Sequence, residues 1–143
     1  MRQLHNNLYV AGQITAAEIA ELARQGVKLI INNRPDGEEL TQLPHEQAAQ
    51  IAAEHGIEYR YLPMANGQPL PPNLVTEFRA ALEQESGAIL AHCRSGMRSS
   101  VIWALGAIAA NEISVDEAIS QGVAAGIPLQ NARALLESVQ ISD

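Results

Sequence analysis

Short apolar runs rich in β-branched residues alternate along this chain with stretches of helical periodicity, and nothing else in it limits the fold as strongly. Leu8 to Ala11 (LYVA), Val27 to Asn32 (VKLIIN), Ile57 to Met64 (IEYRYLPM) and Ala88 to His92 (AILAH) read as strands. Thr15 with Glu18 forms a capping box, with Ile14 and Ile19 placed as its hydrophobic staple, so a helix starts there and stops at Gly26. Pro44 opens a second helix that ends at Gly56. Leu74, Phe78 and Leu82 put one buried stripe on a helix from Pro72 to Ser86. Ser99 to Ala110 is apolar enough to be a central helix. Ser114 with Glu117 caps another, which ends near Gly126, and Pro128 opens a last one with Leu135, Leu136 and Val139 inward. Strands that alternate with helices in this way predict an α/β domain. Its sheet should be mostly parallel, with four to five strands and about six flanking helices. In such a sheet ligands bind beyond the carboxyl ends of the strands.

The 143 residues suit one domain spanning 1–143. A charge of −7 disfavours nonspecific attraction to nucleic acid or to an anionic membrane, and no apolar run reaches the roughly 20 residues a bilayer needs. The single cysteine excludes an internal disulfide, and the N-terminus lacks a signal-peptide core, so a reduced, cytoplasmic protein is expected. His5, His45 and His55 fit no ligand spacing, so neither a metal nor another cofactor is expected.

The fourth strand runs straight into His92-Cys93-Arg94-Ser95-Gly96-Met97-Arg98-Ser99 and then into a helix. A strand, a short glycine-containing loop and a helix N-terminus together make an anion cradle, because successive backbone N–H groups turn inward. Arg94 and Arg98 add full charges, and no acidic residue occurs from Ser86 to Asn111 in a chain that is acidic elsewhere. Cys93 and Arg98 are therefore the candidate catalytic pair, with Arg94, Ser95, Gly96, Met97 and Ser99 as substrate-binding candidates. Taken alone, a lone cysteine at a strand end is more simply a small buried hydrophobe. Lowering a thiol's pKa by about 2.5 units raises its thiolate fraction about 30-fold, but falling nucleophilicity removes about 13-fold of that. The cradle's main service is thus to bind and stabilise negative charge.

The segment His92 to Ser100 resembles two related groups of cysteine enzymes, and the order of elements is similar to that of dual-specificity-type cysteine phosphatases. The nearest likeness is to the phosphatase-like domain of beta-lactamase-hydrolase-like proteins, a bacterial family described as sulfur transferases. The matching pieces are Leu8 to Gln13, Ile31 to Glu38, Tyr59 to Pro63 and His92 to Ser100, within about the first 105 residues. The resemblance implies a cysteine-phosphatase-like fold, with two departures. Phosphatase loops place five residues between cysteine and arginine; here Arg98 follows after four, as in rhodaneses, and Ser99 stands where the arginine is expected. The loop after the third strand, Met64 to Gln68, also lacks the aspartate that usually serves as general acid.

Sulfur transfer needs no such acid, so the leading expectation is a sulfurtransferase. Cys93 would take sulfane sulfur from thiosulfate or a persulfide and pass it to a thiol acceptor. Relatives are sometimes fused to a persulfide dioxygenase domain, which would here be a separate partner. The alternatives are a phosphomonoesterase and a non-catalytic anion sensor. Asp36 is the candidate replacement acid, with Glu38 and Glu39 beside it; the plainer reading is an Asp36-Gly37 turn with solvated glutamates. Arg34 could reach the anion from the second strand's end or simply pair with Asp36 or Glu38. Ser99 and Ser100 either donate to the thiolate or cap the helix, and His92 either points into the core to fix the loop or takes a direct part in catalysis.

Overall fold

The computed structural model describes residues 1–140. In chain order the elements are β1 (Arg2–His5), β2 (Leu8–Ala11), α1 (Ala16–Arg24), β3 (Val27–Asn32), α2 (His45–Glu54) and β4 (Glu58–Tyr61). They continue with α3 (Leu74–Gln84), β5 (Ala88–His92), α4 (Met97–Ala109) and α5 (Val115–Ala124). A 3-10 turn (Leu129–Ala132) then leads into α6 (Arg133–Glu137). The sheet order is β1-β2-β5-β3-β4, parallel except for the antiparallel β1 at one edge. The α/β expectation with five strands and six helices holds.

Alternation along the strands sorts the core onto two faces. Leu8, Val10, Leu29, Ile31, Ile89 and Ala91 face one way and pack with α3, α4, α5 and α6. Ile30 and Leu90 face the other way, toward Ile19 and Leu22 of α1 and Ala48 and Ala52 of α2. Nearly every side chain of α4 from Arg98 to Ile108 is buried, which makes it the central helix its composition suggests. The Thr15 and Ser114 capping boxes form with both reciprocal bonds, and Ile14 and Ile19 are both buried as the staple requires.

Three expectations differ from the structure. β1 carries only one buried residue, Leu4, and gains its strand conformation from pairing with β2, so no local pattern marks it. β4 stops at Tyr61 instead of Met64, because Pro63 has no N–H for a ladder. The bonds Leu62 N–H to Asn32 C=O and Met64 N–H to Asn33 C=O still tether that stretch to the end of β3. Leu135 is 40% exposed, whereas Leu136 is buried, because the last helix begins with a 3-10 turn that shifts its phase. No helix among the described residues is long and apolar enough to cross a membrane.

Candidate active site

The central strand β5 delivers Cys93 between the carboxyl ends of its two parallel neighbours. Cys93 N–H donates to Ala11 C=O of β2 at 3.4 Å, and Asn33 N–H after β3 donates to His92 C=O at 2.8 Å. The chain then turns back on itself, and the Cys93 sulfur accepts the Gly96 N–H at 3.1 Å. Gly96 has φ 94°, a left-handed conformation that suits glycine, and it forms the N-cap of α4. The thiol therefore sits at a helix N-terminus with a backbone donor directed at it. Gly12 is needed for a different reason: a Cβ there would stand 2.7 Å from the Arg94 carbonyl oxygen. Gly12→Ala must push the loop outward, and it is expected to cost about 1–3 kcal/mol in a urea unfolding measurement and to lower activity as well.

Arg98 and Glu38, sixty positions apart, form the densest contact of the site. Arg98 Nη1 donates to Glu38 Oε2 at 2.8 Å and to Met64 C=O at 2.8 Å, and Arg98 Nη2 donates to Glu38 Oε1 at 2.8 Å. Glu38 Oε1 also accepts from Arg34 Nε at 2.9 Å. Arg34, only 2% exposed, further reaches Glu39 at 2.8 Å and Gln13 at 3.1 Å. Arg94, on the exposed side of the loop, lies 3.3 Å from Glu39. Three guanidinium groups thus face two carboxylates at the rim, leaving one positive charge over. The glutamates are not simply solvated: Glu38 clamps the arginines.

The electrostatics follow. The hydrogen bonds from Arg98, aided by Arg34 and opposed by partial burial, hold the Glu38 carboxyl at about 2, well below its ordinary 4.5. Arg98 in turn is raised, chiefly by its Glu38 hydrogen bond and against the effect of burial, with the Cys93 sulfur acting in the same direction. A depressed carboxylate pKa stabilises the fold above the unfolded value, and that contribution is lost as pH falls through the folded one. Stability should therefore decline from about pH 4.5 toward about pH 2. Glu38→Gln should remove a portion of that decline of the order of 1 kcal/mol, allowing for solvent screening. Urea titrations of both proteins across that range check it.

The remaining residues divide between the rim and the support beneath it. Asp36 is held away in a cap on α2: Oδ1 accepts the His45 N–H at 2.9 Å and Oδ2 lies 2.5 Å from His45 Nδ1. The His45 ring stacks on Tyr61 with centroids 3.8 Å apart. Ser99 Oγ donates to Asn33 Oδ1 at 2.7 Å and Ser100 Oγ to Gly96 C=O at 2.8 Å, so both hydroxyl protons serve the scaffold and not the sulfur. Ser95 Oγ accepts the Met97 N–H at 3.3 Å at the start of α4. His92 is buried, with Nδ1 3.5 Å from Cys93 C=O and Nε2 unpartnered; burial lowers its pKa to about 4 and keeps it neutral. Asn33, read from the sequence only as loop, joins three elements: its side chain bonds Leu62 C=O and Ser99, and its backbone bonds His92 and Met64. No local signal marks it, because its value lies in distant partners. Among the described residues no cluster of three or more His, Cys, Asp or Glu could hold a metal ion. A cleft of about 220 Å³ lined by His5, Asn7, Arg79, Trp103 and Glu112 lies at the opposite, amino end of the strands.

Residues 1–110 match the family model of the beta-lactamase hydrolase-like protein, phosphatase-like domain. The chain belongs to that family. It is 34% identical over 135 residues to a beta-lactamase hydrolase-like protein of Xylella fastidiosa, covering 94% of this chain and 31% of that protein. Over 104 residues it is 33% identical to one from Agrobacterium fabrum, covering 73% of this chain and 24% of the relative. The chain thus spans about a third or less of the length of these curated relatives. The crystal structure of a candidate phosphatase from Neisseria meningitidis superposes with a TM-score of 0.86 at 34% identity, covering 97% of each chain. Tk-PTP in its active form shares the fold, with a TM-score of 0.74 at 17% identity over 96% of this chain and 92% of that one. The architecture is that of the cysteine phosphatases.

Proposed function

We propose that this domain is a cysteine-dependent phosphomonoesterase in which the Cys93 thiolate takes the phosphoryl group and water then releases it. The observation that carries the reading is the loop itself. The Gly96 N–H at the N-terminus of α4 is bonded to the sulfur, and Arg98, in the first turn of the same helix, is held bidentately by Glu38 close to that sulfur. Backbone donors and a guanidinium beside a thiol suit a phosphoryl dianion, and phosphoryl transfer is catalysed mainly by such positioning and charge stabilisation. Arg98 and the loop N–H groups would hold the phosphoryl oxygens, Arg34 would hold Glu38 in place, and Arg94 would attract the substrate from solvent. The family description and the 34% identical Neisseria structure support this reading over sulfur transfer, which stands first when the residues are read alone.

Sulfur transfer remains the second reading because of the four-residue spacing from Cys93 to Arg98 and the carboxylate-free Met64 to Gln68 loop. One experiment separates them. An activated aryl phosphate should be hydrolysed, and rapid quenching should leave a phosphoryl adduct on Cys93 by intact mass. Added sulfur on Cys93 after thiosulfate or persulfide, with no hydrolysis of the ester, would overturn the proposal in favour of sulfur transfer.

A further inference from the structure

Every carboxylate of the loop after β3 is already occupied. Both Asp36 oxygens are taken up by His45. Glu38 accepts three charge-assisted bonds from Arg98 and Arg34, and Glu39 bridges Arg34 and Arg94. The stretch after β4 that faces Arg98 contributes a backbone carbonyl, Met64 C=O, and carries no acidic side chain from Met64 to Gln68. His92 is enclosed beneath the loop with its one polar contact to Cys93 C=O, so it offers no proton to a departing group above the sulfur.

Resting on the phosphatase reading, we infer that the substrates of this site are phosphate compounds whose leaving group departs as a stable anion. Aryl phosphates, acyl phosphates and phosphoanhydrides belong to this class; simple alkyl phosphates do not. In the first step the Cys93 sulfur forms a bond to phosphorus, the bond from phosphorus to the leaving oxygen breaks, and that oxygen leaves with the electron pair. No proton is transferred within the site. In the second step water attacks the cysteinyl phosphate, the S–P bond returns its pair to sulfur, and the product leaves as dihydrogen phosphate. A general acid is worth about 10²–10⁴-fold, and that help matters most for a basic leaving group. A carboxylate, with a conjugate-acid pKa of about 4, leaves readily without help, and a phenolate of about 10 marks the upper end. The low pKa of Glu38, about 2, agrees with this division, since its carboxyl holds no proton to give at neutral pH.

The test is kcat/KM, which reports the first chemical step, across aryl phosphates whose phenols span pKa about 4 to about 10. Acetyl phosphate and glycerol phosphate complete the series. The expected result is a fall of about fivefold to tenfold per unit of leaving-group pKa, rapid turnover of acetyl phosphate and none of glycerol phosphate. A nearly flat series with glycerol phosphate hydrolysed would overturn the inference and leave the phosphatase reading standing. No Cys93-dependent turnover even of acetyl phosphate would overturn that reading and the inference with it. Glu38→Gln provides a second arm. As a clamp on Arg98 its loss lowers all members of the series alike, whereas a loss confined to basic leaving groups would identify Glu38 as the acid and refute the inference.

Discussion

Cys93→Ser will lower kcat/KM for an activated aryl phosphate by at least about 10³-fold while leaving the fold intact. The two side chains differ by one atom, and the serine hydroxyl can still accept the Gly96 N–H that the sulfur accepts at 3.1 Å. What the substitution removes is an ionisable nucleophile, because an alcohol holds its proton far more tightly than a thiol. Cys93 is buried to 1% exposure, so exchanging a thiol for a more polar hydroxyl is expected to cost about 1–3 kcal/mol, limited by the Gly96 N–H that the oxygen accepts. The cradle stays, so phosphate should still raise the melting temperature of the variant, since a ligand of the native state stabilises by mass action. Kinetics and thermal shifts on the same preparation check both halves. Retained hydrolysis would remove Cys93 from the chemistry, and retained biological function would favour the anion-sensor reading.

Arg98→Lys is expected to cost about 10²–10³-fold in kcat/KM, most of it in kcat, although the charge is conserved. Arginine here holds both oxygens of Glu38 and the Met64 carbonyl with a planar fork, and the same plane fixes how its remaining surface meets an oxyanion. A lysine ammonium is a point charge that can satisfy one of these partners at a time. Arg98 is only 5% exposed and a lysine there cannot keep all three bonds to Glu38 and Met64, so a lowered melting temperature should accompany the kinetic loss. Protection by phosphate in a thermal-shift titration should weaken only a little, which separates a transition-state defect from loss of ground-state binding. An unchanged kcat would show that Arg98 is structural only.

Much of the site was legible from local sequence because much of it is local. Cys93, Gly96 and Arg98 lie within six consecutive residues, and strand, loop and helix N-terminus follow one another without interruption. Asp36 and the serines illustrate the opposite case. Their side chains can bond several partners, and which partner wins depends on what the fold brings near. Asp36 meets His45, and Ser99 meets Asn33 across 66 positions. Proximity in sequence to a predicted strand end made Asp36 a candidate acid; the structure engages it in capping α2 and places Glu38 on Arg98 instead.

The two capping boxes, the short β-branched strands and the striped helices were determined by sequence alone, because each depends on interactions spanning no more than a few residues. The α/β class and the position of Cys93 at a strand's carboxyl end follow from their order. Tertiary structure decided what depends on distant partners: that Arg2–His5 becomes an edge strand, that Pro63 ends β4 while its neighbours stay tethered to β3, and that Arg34 is buried. Above all it decided that the Glu38 carboxylate, a residue any turn could carry, closes on Arg98. Its charge is visible in the sequence; its partner is not, since an ion pair across sixty residues forms only after the sheet has brought the ends of β3 and β5 side by side.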